Sequence, residues 1–434
     1  MDDRLQSKLR RLGVTRGTRN LKPAPPVKPP RHGSAPPTDR EFEQVFPGAV
    51  VQETAVGSCL VLDKVYPLSF QQGQAILGEL LAYLPEAMVP YAKEPRLTGL
   101  HFTDALFIDT ETTGLAGAGT LAFMVGVAFF DQQKLANGAT GYVFVVRQYF
   151  LRNHADEPAM LRLLEELAAS KTFLISFNGR SFDIPLLDNR YLMNRQPSPL
   201  SSMPHLDLLP PSRRLWRLRL GSCALGSLEE TLLSIKRTHE DVPGFLIPNM
   251  YHDYVRSGDP SEMRRVFYHN HEDMLSMVTL ATAVLQLITQ REGLPLDLFS
   301  LGKWQADLRL VIEAETTLRQ AADAELPLET YHQTLSRLAL LLKQNNRRAE
   351  AIVLWQQIAS TTYDDVDAHV ELAKFYEWHE IDYQKATFWT EQGLTITKSW
   401  RNRGYGQMVG AELEHRLQRL QRKLTDSQKS SKQQ

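Results

Sequence analysis

Between residues 105 and 208 the chain passes through three β-rich runs before it offers a helix, an order that a strictly alternating β-α-β pattern does not accommodate. The runs are ALFIDTE, AFMVGVAFFD and YVFVVRQYFL. They are followed by a helical EPAMLRLLEELAAS, the strand TFLISF, a helical IPLLDNRYLMNR and the short PHLDLL. β-rich segments separated by helices of this length predict an α/β layer. Three strands in succession predict that its sheet is mixed, with an antiparallel front end.

The flanks differ in composition. Residues 22–37, KPAPPVKPPRHGSAPP, carry seven prolines, which remove backbone donors and fix φ, so residues 1–40 are expected to be a disordered basic arm. The net charge of −1 conceals that arm: residues 1–40 hold ten Lys and Arg against Asp2, Asp3 and Asp39, or +7, and the remainder sums to −8. Such an arm serves as a solubilising tail or as a nucleic-acid tether. Residues 41–100 read as a lead-in subdomain with strand-like runs such as Ser58-Cys59-Leu60-Val61-Leu62 and an apolar-periodic stretch from Ala75 to Tyr83. The α/β domain is expected over 101–293, its last third helical. From 300 to 423 no strand pattern remains. There Leu338-Ala339 recurs as Leu372-Ala373 and Leu354-Trp355 as Phe388-Trp389, both 34 residues on, the period of the tetratricopeptide (TPR) helix pair. An all-α, TPR-like domain is the expectation, a generic helical bundle the alternative, and residues 424–434 read as a disordered polar tail.

No window of about 18 consecutive apolar residues occurs and the start MDDRLQSKLRRLG is charged, so neither a membrane span nor secretion is expected. Cys59 and Cys223 are the only cysteines. Two thiols exclude a disulfide scaffold and a cysteine-built zinc site and fit a reducing cytoplasm. A metal held by this chain would sit on carboxylates.

Three segments carry acids placed for chemistry. In ALFIDTETTGL, Asp109 and Glu111 are two apart and share one face of a strand end, where two carboxylates repel unless a hard divalent cation lies between them; an ordinary polar strand terminus is the plainer reading. In TFLISFNGRSFDIP, Asp183 follows the turn at Asn178-Gly179, at the exit of a strand where α/β sheets place their sites; helix capping is its plainer role. In YHNHEDMLSM, His269 and Asp273 are four apart and share a helix face, setting an imidazole that can take a proton beside a carboxylate.

Other features are less pointed. Arg213, Arg214, Arg217 and Arg219 surround Trp216, a pattern that could grip phosphates and stack a base or be a solvated helix edge. The glycines of GLAGAGT lack the spacing of a dinucleotide loop. His205 with Asp207 and His239 with Asp241 have metal-like spacing that is also the spacing of any polar turn, and Trp304, Trp355, Trp378 and Trp389 at helical positions read as core first and as a ligand groove second.

Taken together, DTE, N-G-x-x-F-D and H-N-x-x-D across about 165 residues resemble the DEDD superfamily of 3′ to 5′ exonucleases, whose fold is ribonuclease-H-like. The resemblance is closer to the YprB-type ribonuclease-H-like branch, through IDTETTGL, SFNGRSFDIPLL, HLDLL, Leu225-Gly226-Ser227-Leu228-Glu229, Asp241-Val242-Pro243-Gly244 and YHNHEDMLSM. It covers roughly residues 50–290. It implies that Asp109, Glu111, Asp183 and Asp273 hold two Mg²⁺ or Mn²⁺ ions and that His269 is the general base. In the histidine type of the superfamily the base stands five residues before the last acid, and in the tyrosine type a tyrosine stands four before it; here Tyr268 is at minus five and His269 at minus four, so Tyr268 is the alternative base. Two ions about 3.5–4 Å apart suit phosphodiester hydrolysis, activating a water and stabilising the leaving 3′ oxygen. Asn178, Arg180, Thr112 and Asn270 are the candidate substrate contacts. The expected function is hydrolysis of a single-stranded RNA or DNA end, with the helical tail binding a partner protein or positioning the strand. A noncatalytic scaffold and a structure-selective endonuclease are the competing readings.

Overall fold

The computed structural model describes residue 42 and residues 44–434, apart from 115–118, 135–137, 363–364, 401–402 and 433–434. The arm expected over residues 1–40 lies outside them. Seven strands, β1 (Ala49–Thr54), β2 (Gly57–Pro67), β3 (Ala105–Thr112), β4 (Ala122–Lys134), β5 (Thr140–Phe150), β6 (Phe173–Ser176) and β7 (His205–Asp207), form one sheet in the order β1-β2-β5-β4-β3-β6-β7. From β1 through to β3 the neighbours run antiparallel, whereas β3-β6 and β6-β7 are parallel. This is the mixed sheet with an antiparallel front that the three successive strands predict, and it agrees with the ribonuclease-H-like fold.

Five helices cover the sheet: α1 (Glu157–Ala168), α2 (Asp183–Met193), α3 (Leu209–Leu220), α4 (Ile247–Ser257) and α5 (Met263–Gln290). Side chains of a strand alternate between faces, so β3 sends Ala105 and Phe107 into one core and Leu106 and Ile108 into the other. Helices α1, α2 and α4 pack on the second face. Helix α5 passes from one face to the other, with Val266 and Phe267 in the second core and Met274 to Ile288 in the first. Its crossing lies at the end of β3, which is what brings a helix face to the strand-end acids. Among the described residues α5 is the one helix long and apolar enough to cross a membrane, and 72% of that stretch is buried in this protein's own core.

The lead-in departs from the expectation of a separate subdomain. β2 pairs with β5 from Leu60↔Phe150 to Pro67↔Val143, so the sheet itself is extended, because β5 would otherwise leave an open edge eleven residues long. The stretch from Ala75 to Tyr83 forms a short strand and a 3₁₀ turn, Leu77–Ala82, that buries Leu77 and Leu80.

Beyond residue 294 the chain is helical: α6 (Pro295–Asp307), α7 (Val311–Ala322), α8 (Leu328–Gln344), α9 (Arg348–Thr361), α10 (Val366–Trp378), α11 (Tyr383–Ser399) and α12 (Arg403–Lys432), each packed on the next. Leu338-Ala339 and Leu372-Ala373 are buried at corresponding places on α8 and α10. Helix α12 runs through the segment expected as a frayed tail. The helical region continues the core of the α/β layer, which extends from Leu77 to Leu372 as one cluster. At the junction Trp304 packs on Tyr91 with ring centroids 4.8 Å apart, and Gln305 Nε2 donates to the Tyr91 hydroxyl at 3.0 Å.

That junction also corrects the reading of the arginine-rich stretch. Trp216 is buried, Arg219 Nε pairs with Asp297 at 2.8 Å and Arg214 lies 3.7 Å from Asp307. The tryptophan is core, and two of the four arginines fasten α3 to α6 rather than gripping a strand.

Candidate functional site

β3 delivers Asp109 and Glu111 to its end on one face, and Glu111 is only 9% exposed. Asp183 is the first residue of α2 and is buried; the chain reaches it through Asn178, whose φ is 70°, and Gly179, where a Cβ would meet Ser176 Oγ at 2.5 Å. Thr110 Oγ donates to Asp183 Oδ1 at 2.5 Å. From α5, His269 and Asp273 meet Glu111 of β3, each of the three offering one ligand atom within 4.8 Å of the others. Three elements distant in sequence thus converge on one cleft.

The electrostatics show how strained the cluster is as a set of anions. Burial pushes the Asp109 carboxyl well above the usual carboxylate range, and Asp183, Asp273 and Glu111 push it further. Glu111 is raised well above its ordinary value by burial and then by Asp273 and Asp183, opposed by Arg237. Asp183 is pushed up to about 6, chiefly by burial. Clustered carboxylates that resist ionising are a donor set whose repulsion a bound cation would relieve.

His269 is held from behind. Its Nδ1 lies 2.8 Å from Asp241 Oδ1, and Nε2, 3.5 Å from Asp273 Oδ2, faces the acids. The hydroxyl of Tyr268 accepts the backbone N–H of Thr238 at 3.0 Å, a contact directed to the neighbouring loop.

The sequence pattern does not reveal Arg237. It follows a π turn, Glu229–Leu233, and its guanidinium donates to Glu229 from Nε at 2.7 Å and from Nη2 at 2.6 Å. Nη2 also reaches Asp273 Oδ1, while Nη1 lies 3.1 Å from His269 Nδ1 and 3.4 Å from Asp241 Oδ1. Glu229 is 2% exposed, a depth at which a carboxylate needs such a fork. These residues line a cleft of about 560 Å³. Glu229 and Asp241 do stand in motifs visible in the sequence; Arg237 stands in none.

The candidate substrate contacts divide. Asn178 is exposed, its backbone N–H donating to Asp207 Oδ1 at 2.8 Å. Arg180 is exposed too, but its guanidinium is engaged by the His205 carbonyl. Thr112 Oγ donates to the Gly114 carbonyl at 2.8 Å and closes the turn after β3. Asn270 is fully buried: Gln148 Nε2 donates to its Oδ1 at 3.1 Å, which turns its Nδ2 to Asp109 Oδ2 at 3.1 Å. It positions a carboxylate and is not placed to meet a strand. Asp207 accepts three backbone N–H groups, from Asn178, Arg180 and Leu209, and His205 bonds Ser176 Oγ at 2.7 Å, so both are structural. The glycine-rich segment GLAGAGT lies largely outside the described residues.

A family model of the RNase H superfamily matches residues 106–285, an interval that contains all four acids and His269. The chain is also 29% identical over 351 residues to the uncharacterized protein YprB of Bacillus subtilis (strain 168), a match covering 78% of this chain and 80% of that protein.

Proposed function

We propose that this chain, whose residues 106–285 form a domain of the RNase H superfamily, is a metal-dependent 3′ to 5′ exonuclease acting on single-stranded RNA or DNA. The observation that carries the reading is the convergence of Asp109, Glu111, Asp183 and Asp273 from a strand end and two helices, with the imidazole of His269 among them. A scaffold gains nothing from buried carboxylates that raise one another's pKa.

The donor set fits hard divalent ions, since it consists of carboxylate oxygens with one imidazole. Asp109, Glu111, Asp183 and Asp273 would hold two Mg²⁺ or Mn²⁺ ions, which supply Lewis-acid stabilisation of the charge growing on the phosphate and on the leaving 3′ oxygen. His269 Nε2 takes a proton from the attacking water while Asp241 keeps Nδ1 protonated and stabilises the imidazolium. Asn270 fixes Asp109, and Arg237 fixes Asp273. Asn178, exposed on the loop that leads to Asp183, is the candidate side chain to meet the strand. In this reading the TPR-like tail binds a partner or guides the substrate.

The test uses the wild type and Asp109→Asn on 5′-labelled and 3′-labelled single-stranded RNA and DNA in Mg²⁺ or Mn²⁺. A ladder that shortens from the 3′ end and vanishes in the variant is expected. Internal cuts would make the enzyme an endonuclease, and the absence of any metal-dependent product would leave a scaffold.

A further inference from the structure

The helical region holds a second surface with chemistry of its own. A cavity of about 260 Å³ opens between α8, α9, α10 and α12, lined by Lys343, Arg348, Trp355, Lys374, Trp378 and Arg416. Two carboxylates serve the cations there. Glu371 accepts from Lys343 and, at 2.8 Å, from Lys374. Glu377, with no exposed surface, accepts from Arg416 at 2.6 Å, Arg419 at 2.7 Å and Lys423 at 3.1 Å. Arg348 makes one contact with the Asn346 side-chain oxygen, at 3.4 Å. Six cations stand against Glu371, Glu377 and the nearby Asp367, which interacts with Lys374, and leave a local surplus of three positive charges, in a chain whose residues 41–434 sum to −8.

Aromatic rings are interleaved with these cations. Trp378 is 54% exposed, although tryptophan at a helical position is expected in the core, and Lys423 Nζ and Arg419 Cζ lie 4.2 and 5.3 Å from its ring centre. Lys343 stands 5.8 Å from the ring of Trp355, which is buried at the cavity floor. Surplus cations alone would suit any polyanion. An exposed indole within a few ångströms of them suits one whose charges alternate with flat π faces, which is a nucleic-acid strand with unpaired bases. A paired duplex buries those faces, and an acidic peptide has none. We propose that this cleft binds single-stranded nucleic acid, one base against Trp378 and its phosphates on Arg348, Lys374 and Arg416. The proposal deepens the nuclease reading and rests on it only in taking the bound strand to be substrate.

The test measures binding and cleavage separately in the full chain. Anisotropy of a fluorescent single strand of about 20 nucleotides, titrated in EDTA so that no hydrolysis occurs, is compared for the wild type, Trp378→Ala, Trp378→Phe and Arg348→Glu, with melting temperatures as the check on folding. Trp378→Ala is expected to weaken binding about tenfold and Trp378→Phe to restore most of it. Arg348→Glu is expected to lower the slope of log affinity against log salt by about 0.7 or more. Hydrolysis of a substrate of about four nucleotides, too short to span both sites, is expected to be unchanged in every variant. Unchanged affinity in both Trp378→Ala and Arg348→Glu would overturn the proposal, as would polyglutamate displacing the strand equally well at equal charge. Failure of the wild type to hydrolyse the short substrate would instead overturn the nuclease reading, with the binding comparison still decisive for the cleft.

Discussion

Arg237 touches four titratable side chains, so its removal and its conservative replacement separate charge from geometry. Arg237→Ala leaves Glu229, 2% exposed, without a counter-charge and is expected to destabilise the fold by about 3–5 kcal/mol, read as a lower denaturation midpoint. Arg237→Lys keeps the charge but not the two-pronged contact, and is expected to keep most of the stability while losing turnover as Asp273 shifts. Asp241→Asn tests a different contact. The carboxylate is part-exposed and its loss spares the core, so the protein is expected to fold, with kcat down about 10²–10⁴-fold and KM little changed. A variant in which KM rises and kcat is unchanged would place Asp241 on the substrate and not behind His269. The acids themselves set the pH response. Asp109, Glu111 and Asp183 hold protons more tightly folded than unfolded, so without metal the unfolded state loses them first. The contribution of these three acids to stability is then full below about pH 4 and falls as pH rises through about 6 for Asp183 and further for the other two. In EDTA the protein is expected to melt lower at pH 8 than at pH 5, by an amount on the order of 1–3 kcal/mol. Mg²⁺ is expected to raise the melting temperature more at pH 8, and Asp109→Asn to flatten both trends.

β4 and α5 approach so closely that one glycine decides whether the site can close. Gly126 lies opposite Asp109 in the ladder, and a Cβ there would fall 2.1 Å from the Asn270 side-chain oxygen. Gly126→Ala is expected to push α5 outward, lower the melting temperature and cost most of the activity, since Asn270 could no longer reach Asp109; an unaffected variant would show that the approach tolerates a methyl group. The same pair of elements shows what was legible beforehand. Asp109 with Glu111, and His269 with Asp273, follow the periods of a strand and a helix, so local spacing is enough to pair them. Asn270 is misjudged as a substrate contact because its partners, Gln148 and Asp109, lie 122 and 161 residues away. Arg237 is invisible for another reason: Glu229 and Asp241 are only 8 and 4 residues away, but a π turn and a loop, not a regular helix or strand period, bring them to it, and His269 and Asp273 are 32 and 36 away. The arginines near Trp216 mislead because charge density along the chain says nothing about Asp297, 78 residues on, which covers Arg219. The three-strand opening and the helical last third of the α/β domain were legible because each strand and each helix carries its own period within its own residues.

The α/β layer and the helical region share one core, so the boundary suggested by composition near residue 293 is not a line along which the protein divides. Residues 1–293 alone would expose Tyr91 and the α3 face that Asp297 and Trp304 cover, and are expected to be insoluble or to melt far below the full chain. Trp304→Ala in the full chain is expected to cost about 3–5 kcal/mol. A soluble, cooperatively unfolding fragment would show that the shared core is dispensable. The spread of the four acids from 109 to 273 also has a meaning in time. At roughly 5–20 residues per second, Asp273 is synthesised roughly 8–30 s after Asp109, and the helices that complete the core come later still. Closing so long a loop is slow as well as late. A growing chain therefore holds its first two acids on a strand with Asp273 not yet opposite them, and whatever chemistry the cleft performs begins only after that acid and the helices that complete its core have been made.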